Sequence, residues 1–292
     1  MTTAPATVTQ ATVLDDLDSR PGSTTSLLRT VVGSTVRAHG GWMSAAAFVA
    51  LMETVEVPAG RTRTTLTRLK ARGLLVPEAR DGRAGYALSE GALRMLARGD
   101  RRIHHPRFMG EHDHWCLVSF SVPETNRDVR HQLRRRLSWI GCGTVAAGLW
   151  ICPAYLAEEV QQIVADLGLD GRVTLFVVDR IHGVTDLSAA VAQWWDLDAL
   201  RARHDEFLVA GAGAVDAYRR DPTPATAFRT WIRVLDAWRP IPYLDPGLPL
   251  AFLPADWPAR RSIPLFLEVR DSVATAAGEY VDRVLGAGDT PM

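Results

Sequence analysis

Ala59-Gly60-Arg61-Thr62-Arg63-Thr64-Thr65-Leu66-Thr67-Arg68-Leu69-Lys70-Ala71-Arg72-Gly73-Leu74-Leu75-Val76 is the stretch on which the reading of this chain turns. Leu66 and Leu69 lie three apart, a spacing that puts both on one helical face, and Thr62 and Thr65 fall near the same side. Arg61, Arg63, Thr64, Thr67 and Arg68 then project outward or to the flanks. Gly73 suits the left-handed position that closes a helix, so the helix is expected to end near Arg72. Pro58 suits its leading edge, where the first turn needs no N–H. Beyond the stop, 74–76 and 86–88 read as strands around Asp81-Gly82, a hairpin-turn signal, with Arg80 and Arg83 flanking the tip.

The same logic extends upstream and downstream. Leu27, Leu28, Val31, Val32 and Val36 recur at helical spacing, and Gly40-Gly41 stops that helix. Trp42-Met43 suits a very short strand. Ser44 can cap a helix over 45–53 by accepting an orphan N–H, and 55–57 is the turn. Ser89 caps a last helix through Ala97. This order, over 23–99, fits a winged helix-turn-helix. A helix of this size enters the major groove, where Arg reads guanine and Thr meets a thymine methyl or a phosphate. The tip arginines would lie against the phosphate backbone or minor groove. Ser44, Arg61, Arg63, Thr64, Thr67, Arg68, Arg80 and Arg83 are therefore the candidate DNA-binding residues, with Ser44 chiefly a cap. The competing reading is a solvated basic face on a structural helix.

Composition bounds the rest. The 292 residues are too many for one typical domain. The hydrophobic fraction of 47% and charged fraction of 23% are those of a globular chain. A formal net charge of +0 excludes a uniformly basic coat but not a local basic face. Lys70 is the single lysine, so cationic contacts fall to arginine, the better bidentate donor to phosphate and guanine. Cys116, Cys142 and Cys152 are few, odd in number and not closely paired, which argues for a reducing, cytoplasmic setting. No run of about 18 apolar residues exists, so no membrane partner is expected. Residues 1–10 lack a basic-then-apolar signal pattern, and 1–22 reads as a disordered tail.

Two further blocks follow. Over 114–180 the pattern reads strand 115–122, amphipathic helix 124–139, short strands 144–146 and 149–152, helix 155–167 and strand 173–178. That β-α-β-β-α-β order is ferredoxin-like. Over 187–286 the chain reads as helical, with helices at 197–219, 224–237 and 261–284. The proline-rich loop 239–258 between the last two is expected to hold no helix. The fold class is thus α+β: an N-terminal winged helix-turn-helix, a ferredoxin-like middle domain and a helical C-terminal domain.

Three local patterns then agree with one family. The run Arg63 to Leu75 resembles the recognition helix and first wing strand of PaaX-type regulators. Leu133-Arg134-Arg135-Arg136-Leu137-Ser138-Trp139-Ile140-Gly141, followed by Gly148-Leu149-Trp150, is similar to that family's middle-domain signature. Asp245-Pro246-Gly247-Leu248-Pro249 and Leu253-Pro254-Ala255-Asp256-Trp257-Pro258 resemble its C-terminal loop. The resemblance implies a dimeric repressor of aromatic-acid catabolism that responds to an aryl-CoA thioester such as phenylacetyl-CoA. The chain departs from the pattern at Asp236-Ala237, before Trp238-Arg239, where the family carries His-Glu. That departure bears on which ligand is bound.

Other constellations are weighed against it. Arg127, Arg130, Arg134, Arg135 and Arg136 line the first helix of the middle block; this is a solvated helix face or a seat for CoA phosphates. Trp194, Trp195, Trp231, Trp238 and Trp257 have the spacing of core aromatics, though a few could stack an aryl group beside Arg233 or Arg239. The candidate effector residues are Arg136, Trp139, Trp231, Arg233, Trp238 and Arg239. His104, His105, His112 and His114 near Cys116 lack paired-cysteine or helical histidine spacing and read as polar linker, so no metal is assigned. The middle block also resembles the fold of CRISPR spacer-acquisition nucleases. Its first strand, however, ends Ser119-Phe120-Ser121-Val122 without the acidic residue a hydrolytic metal site needs. No nucleophile motif, P-loop or dinucleotide glycine pattern is present, so no cofactor, catalytic residue or enzyme activity is expected. The expected partners are double-stranded operator DNA, a small-molecule effector and a second copy of the chain. Two alternatives remain: a winged-helix regulator controlled by abundance or a protein partner, and an acyl-CoA-handling enzyme with a vestigial DNA-binding domain.

Overall fold

The computed structural model describes residues 19–287. Most of the tail expected over 1–22 lies outside the described residues. In chain order the first elements are α1 (Thr24–Val31), which continues as one wide turn over Val32–Val36, β1 (Trp42–Ser44), α2 (Ala45–Thr54) and α3 (Ala59–Ala71). Then come β2 (Leu75–Arg80), β3 (Arg83–Leu88) and α4 (Glu90–His104). The middle of the chain forms β4 (Trp115–Phe120), α5 (Arg127–Trp139), β5 (Gly143–Ala146), β6 (Leu149–Pro153), α6 (Ala157–Asp166) and β7 (Val173–Val178). Last are α7 (Leu187–Trp194), α8 (Leu197–Arg220), α9 (Pro224–Trp238), α10 (Ile241–Leu244) and α11 (Ala259–Ala287). The fold is mixed α and β with two antiparallel sheets.

These elements form two compact units that do not follow chain order. Of the described residues the first takes 19–101, 206–239 and 261–287. The second takes 102–205 and 240–260. Residues 187–286 therefore contribute to both.

In the first unit, α1 packs on α2, α3 and α9. Leu28, Val31, Phe48, Leu51, Met52, Leu66 and Leu69 are buried among them. Each such side chain contributes about 1.5–3 kcal/mol by leaving water. The sheet runs β1-β3-β2, with Met43 opposite Tyr86 and Glu78 opposite Gly85. Gly85 has a steric reason: a Cβ there would sit 2.5 Å from the Trp42 ring and from the Met43 carbonyl oxygen. In the C-terminal part, Trp238 stacks on Phe266 at 4.7 Å and meets Phe207 at 5.1 Å.

The second unit carries the order β-α-β-β-α-β, in a sheet arranged β5-β6-β4-β7. Its core joins Cys116, Val118 and Cys152 of the sheet to Leu133 and Leu137 of α5 and Val160 and Ile163 of α6. The three cysteines are free and buried. A hydrogen bond with the Cys152 thiol, and then burial, push the Cys116 thiol far above its usual range.

Two expectations need correction. The last N-terminal helix does not stop at Ala97 but runs to His104, through Gly99, and ends only before Pro106. The proline-rich loop does contain helix: α10, a single turn, and a 3-10 turn over Leu250–Phe252. Pro242 sits in the first turn of α10, where its missing N–H costs nothing.

The middle and C-terminal sequence signatures have physical reasons in this unit. Gly141 ends the α5 region at φ +85°, and its carbonyl accepts from the Trp195 indole N–H at 2.8 Å. Gly247 adopts φ +68°, and a Cβ there would collide with the Arg107 carbonyl at 1.9 Å. The Asp245 carboxylate accepts from the Gly247 N–H at 2.8 Å and meets the buried His204 Nε2 at 2.9 Å.

Candidate nucleic-acid interface and effector cleft

Helix α3 divides cleanly into two faces. Thr62, Thr65, Leu66 and Leu69 are buried, while Arg61, Arg63, Thr64, Thr67, Arg68 and Lys70 are exposed. The Thr64 and Thr67 hydroxyls donate to the carbonyls of Gly60 and Arg63 at 3.0 and 3.1 Å. No first-turn acid offsets the four cationic side chains of this helix. Gly73, at φ +73°, closes it as expected and its N–H returns to the Lys70 carbonyl.

Beside α3 a shallow groove of about 350 Å³ is lined by Ser23, Thr24 and Thr25 and by Gly60, Arg61, Thr64, Thr65 and Arg68. It brings the N-terminus of α1, with its orphan N–H groups, next to two exposed arginines. Such a corner suits an anion, and a phosphate in particular. Thr24 and Thr25 were not among the sequence candidates; the signal available was Ser23, the α1 cap, whose hydroxyl accepts from the Ser26 N–H at 3.2 Å.

The hairpin tip holds its arginines differently. Arg80 and Arg83 both lie over the Trp42 ring, at 5.5 and 5.8 Å, and Arg80 also bonds Glu78 at 2.6 Å. Gly85 makes room for that indole. Ser44 is 8% exposed, and its hydroxyl accepts from the Ala47 N–H at 3.1 Å. It is a cap, set back from the exposed face.

A second concavity of about 660 Å³ lies within the same unit. One wall is small: Ala210, Gly213, Ala214 and Ala217 of α8. Facing it are Arg229, Arg233, Asp236 and Ala237 of α9, and the residues joining α2 to α3, with Arg61 at the rim. Glu56, in that connection, adopts φ +68°, a left-handed conformation uncommon for a residue with a Cβ. Its carboxylate pairs with Arg233 at 2.5 Å and lies 3.8 Å from Arg229.

Below the cleft is a buried polar cluster. Asp236, 1% exposed, accepts from the Gly22 N–H at 2.7 Å and from the Ser26 and Thr30 hydroxyls at 2.6 and 2.8 Å. Arg239 donates to the same two hydroxyls at 2.9 Å each and lies 3.5 Å from Asp236. The sequence departure at Asp236 therefore belongs to a tie between α9 and α1.

Of the six expected effector residues, Arg233 alone lines this cleft. Trp238 and Arg239 are buried in the structural core, and Trp231 stacks on Phe266 at 6.0 Å. Arg136 and Trp139 belong to the second unit. Arg136 is buried 3.9 Å from Asp166, and desolvation lowers its pKa against the pull of that carboxylate. Trp139 is covered by Arg135 at 4.1 Å. Sequence reasoning missed Glu56, Arg229 and the small wall of α8. The wall had a readable signal: small residues at 210, 213, 214 and 217 share one helical face.

Among the described residues no three His, Cys, Asp or Glu side chains are grouped to hold a metal ion, and no helix is long and apolar enough to cross a membrane.

A fold of this kind, a small helical and hairpin module followed by a β-α-β-β-α-β unit and further helices, has known counterparts. Three family models match in order: the PaaX-like protein over 23–92, the PaaX protein central Cas2-like domain over 111–190, and the PaaX-like protein C-terminal domain over 195–283. The chain belongs to the PaaX family. It is 25% identical over 266 residues to the transcriptional repressor PaaX of Escherichia coli (strain K12), covering 89% of this chain and 84% of that protein. Its fold is also similar to the uncharacterized protein Rv0674 from Mycobacterium tuberculosis, with a TM-score of 0.52 and 23% identity, covering 88% of this chain and 97% of that one.

Proposed function

We propose that this chain is a DNA-binding transcriptional repressor. In this reading α2, α3 and the β2–β3 hairpin form a winged helix-turn-helix, and α3 reads the operator in the major groove. The observation that carries it is the division of α3: four buried core positions on one side, and Arg61, Arg63, Thr64, Thr67 and Arg68 exposed on the other. Among the described residues the guanidinium groups of those three arginines form no ion pair or hydrogen bond; only their backbone carbonyls accept within the helix. A structural helix gains nothing from an unpaired cationic face, whereas DNA supplies both phosphates and guanine acceptors. The repressor role of the Escherichia coli relative supports the same reading.

Arg80 and Arg83, held over Trp42, serve as the backbone clamp of the wing. The second unit is read as a ferredoxin-like domain, and the protein as a homodimer presenting two α3 helices to half-sites about 34 Å apart. The effector is an aromatic acyl-CoA of the phenylacetyl-CoA type, and its binding shifts the population toward a conformer that fits the operator poorly.

Fluorescence anisotropy with DNA recovered from a random pool, at two salt concentrations, tests this reading. A specific sequence bound with a steep salt dependence is expected. Equal, weak binding to all sequences would sink the operator assignment. Release of bound operator by phenylacetyl-CoA is expected, and unaltered affinity at saturation would remove the effector.

A further inference from the structure

The cleft between α8, α9 and the α2–α3 connection has the composition of a ligand site with an internal plug. One wall is uncharged and small, and the facing side carries Arg229 and Arg233; the Asp236 carboxylate that also lines it is already taken up by the Gly22 N–H, the Ser26 and Thr30 hydroxyls and Arg239. The Arg229 Nε is buried without a hydrogen-bond partner, a costly arrangement unless something else uses the donor. The carboxylate that does face these arginines, Glu56, stands on a backbone that is itself strained, a left-handed conformation that a residue with a Cβ rarely adopts. Its side chain is largely exposed, so the ion pairs that hold it are of the weak, solvent-screened kind. An incoming anion can therefore replace it at little net loss.

Arg61 makes the cleft more than a pocket. This residue, in the first turn of α3, lines both the cleft and the groove on the exposed face of that helix. A group bound on one side competes for the same guanidinium as a phosphate on the other.

We propose that this cleft binds a small organic anion, a carboxylate or phosphate joined to a flat apolar body, which takes Arg229 and Arg233 from Glu56. The apolar body lies along Ala210, Gly213, Ala214 and Ala217, where the absence of side-chain bulk leaves room for a planar group. Freed, Glu56 carries the same charge as the ligand and is repelled from it, so the α2–α3 turn loses its tether to α9. Arg61 turns toward the ligand and away from DNA. Ligand and operator then bind at mutual expense, with the same coupling factor in each direction. This inference rests on the proposed repressor reading for its link to DNA, while binding in the cleft stands without it.

The test uses the full chain and calorimetric titration with three probes: phenylacetate, phenylacetyl-CoA and CoA alone. They separate a free carboxylate from the phosphates of a thioester, and the apolar body from both. Binding of phenylacetate or phenylacetyl-CoA, but not CoA alone, is expected. Glu56→Gln should bind the same probe about three- to tenfold more tightly, because the internal competitor is gone; misfolding cannot produce that gain. The double variant R229Q/R233Q should lose at least tenfold. Unchanged affinity in both variants overturns the site, and so does binding of none of the probes. If wild-type protein binds no specific DNA, the repressor reading falls instead. If phenylacetyl-CoA releases operator from the double variant as well as from wild type, that reading stands and the cleft is refuted.

Discussion

The arginines of α3 and those of α9 belong to one compact unit and live under opposite rules. Arg61, Arg63 and Arg68 stand exposed on a helix whose other face is core. Arg239 is 7% exposed and fully engaged with Ser26, Thr30 and Asp236, and Arg233 is held by Glu56. Both sets are equally cationic in the sequence. What separates them is whether the fold supplies the counter-charge. A buried guanidinium without a partner is prohibitively costly, so a structural arginine always brings its acceptor with it. An exposed one left without a partner is available to a partner from outside.

That contrast can be broken most severely at Asp236. Asp236→Ala leaves Arg239 buried without its carboxylate, and α1 with the residue Gly22 ahead of it loses three hydrogen bonds. Urea unfolding should show a loss of about 3–5 kcal/mol. A loss under 1 kcal/mol would mean that the cluster is not the tie between α9 and α1. Gly85→Ala probes the β2–β3 hairpin in the same terms: the added Cβ meets the Trp42 ring, and unfolding should report about 1–3 kcal/mol of overpacking. The α3 arginines should behave in the reverse manner. Arg63→Ala should leave the unfolding curve within about 0.5 kcal/mol, while operator affinity falls by about 1–3 kcal/mol and specificity relaxes at one base position. Equal affinity would place Arg63 outside the interface. The smallest effect is expected at the tip of the β2–β3 hairpin. Arg83→Ala should weaken binding evenly across sequences and reduce the slope of log K against log salt by about 1, as read by anisotropy at several salt concentrations.

The same contrast explains what was legible in the sequence. The faces of α3 follow from a 3.6-residue period and a glycine stop, both local properties, and the buried and exposed sets fell where the spacing put them. The β-α-β-β-α-β order was legible for the same reason. The end of α4 was not: Gly99 lowers helix propensity by only about 1 kcal/mol, and Leu96, packed near Gly33, lies in a stretch that tertiary contact can hold helical. The α10 turn was hidden because proline forbids the interior of a helix but not its first turn. The proposed ligand cleft was the least legible. Tryptophan spacing pointed to Trp231 and Trp238, yet large aromatics near a ligand and in a core share one pattern, and Trp238 proved to be core. Glu56 and Arg229 are 173 residues apart in the chain and meet only through the packing of α9 on the N-terminal helices. Nothing local marks such a pair; the small-residue face of α8 could be read from its spacing, but the left-handed backbone at Glu56 is visible only once the fold is known.

The central claim is that the exposed face of α3 reads operator DNA. Sequencing of the DNA selected from a random pool by the wild-type chain and by Arg63→Ala tests it most directly. The account predicts an enriched inverted repeat for wild type, with preference lost at one position in each half-site for the variant. Identical enriched sequences for both proteins, or no enrichment by wild type, would contradict it.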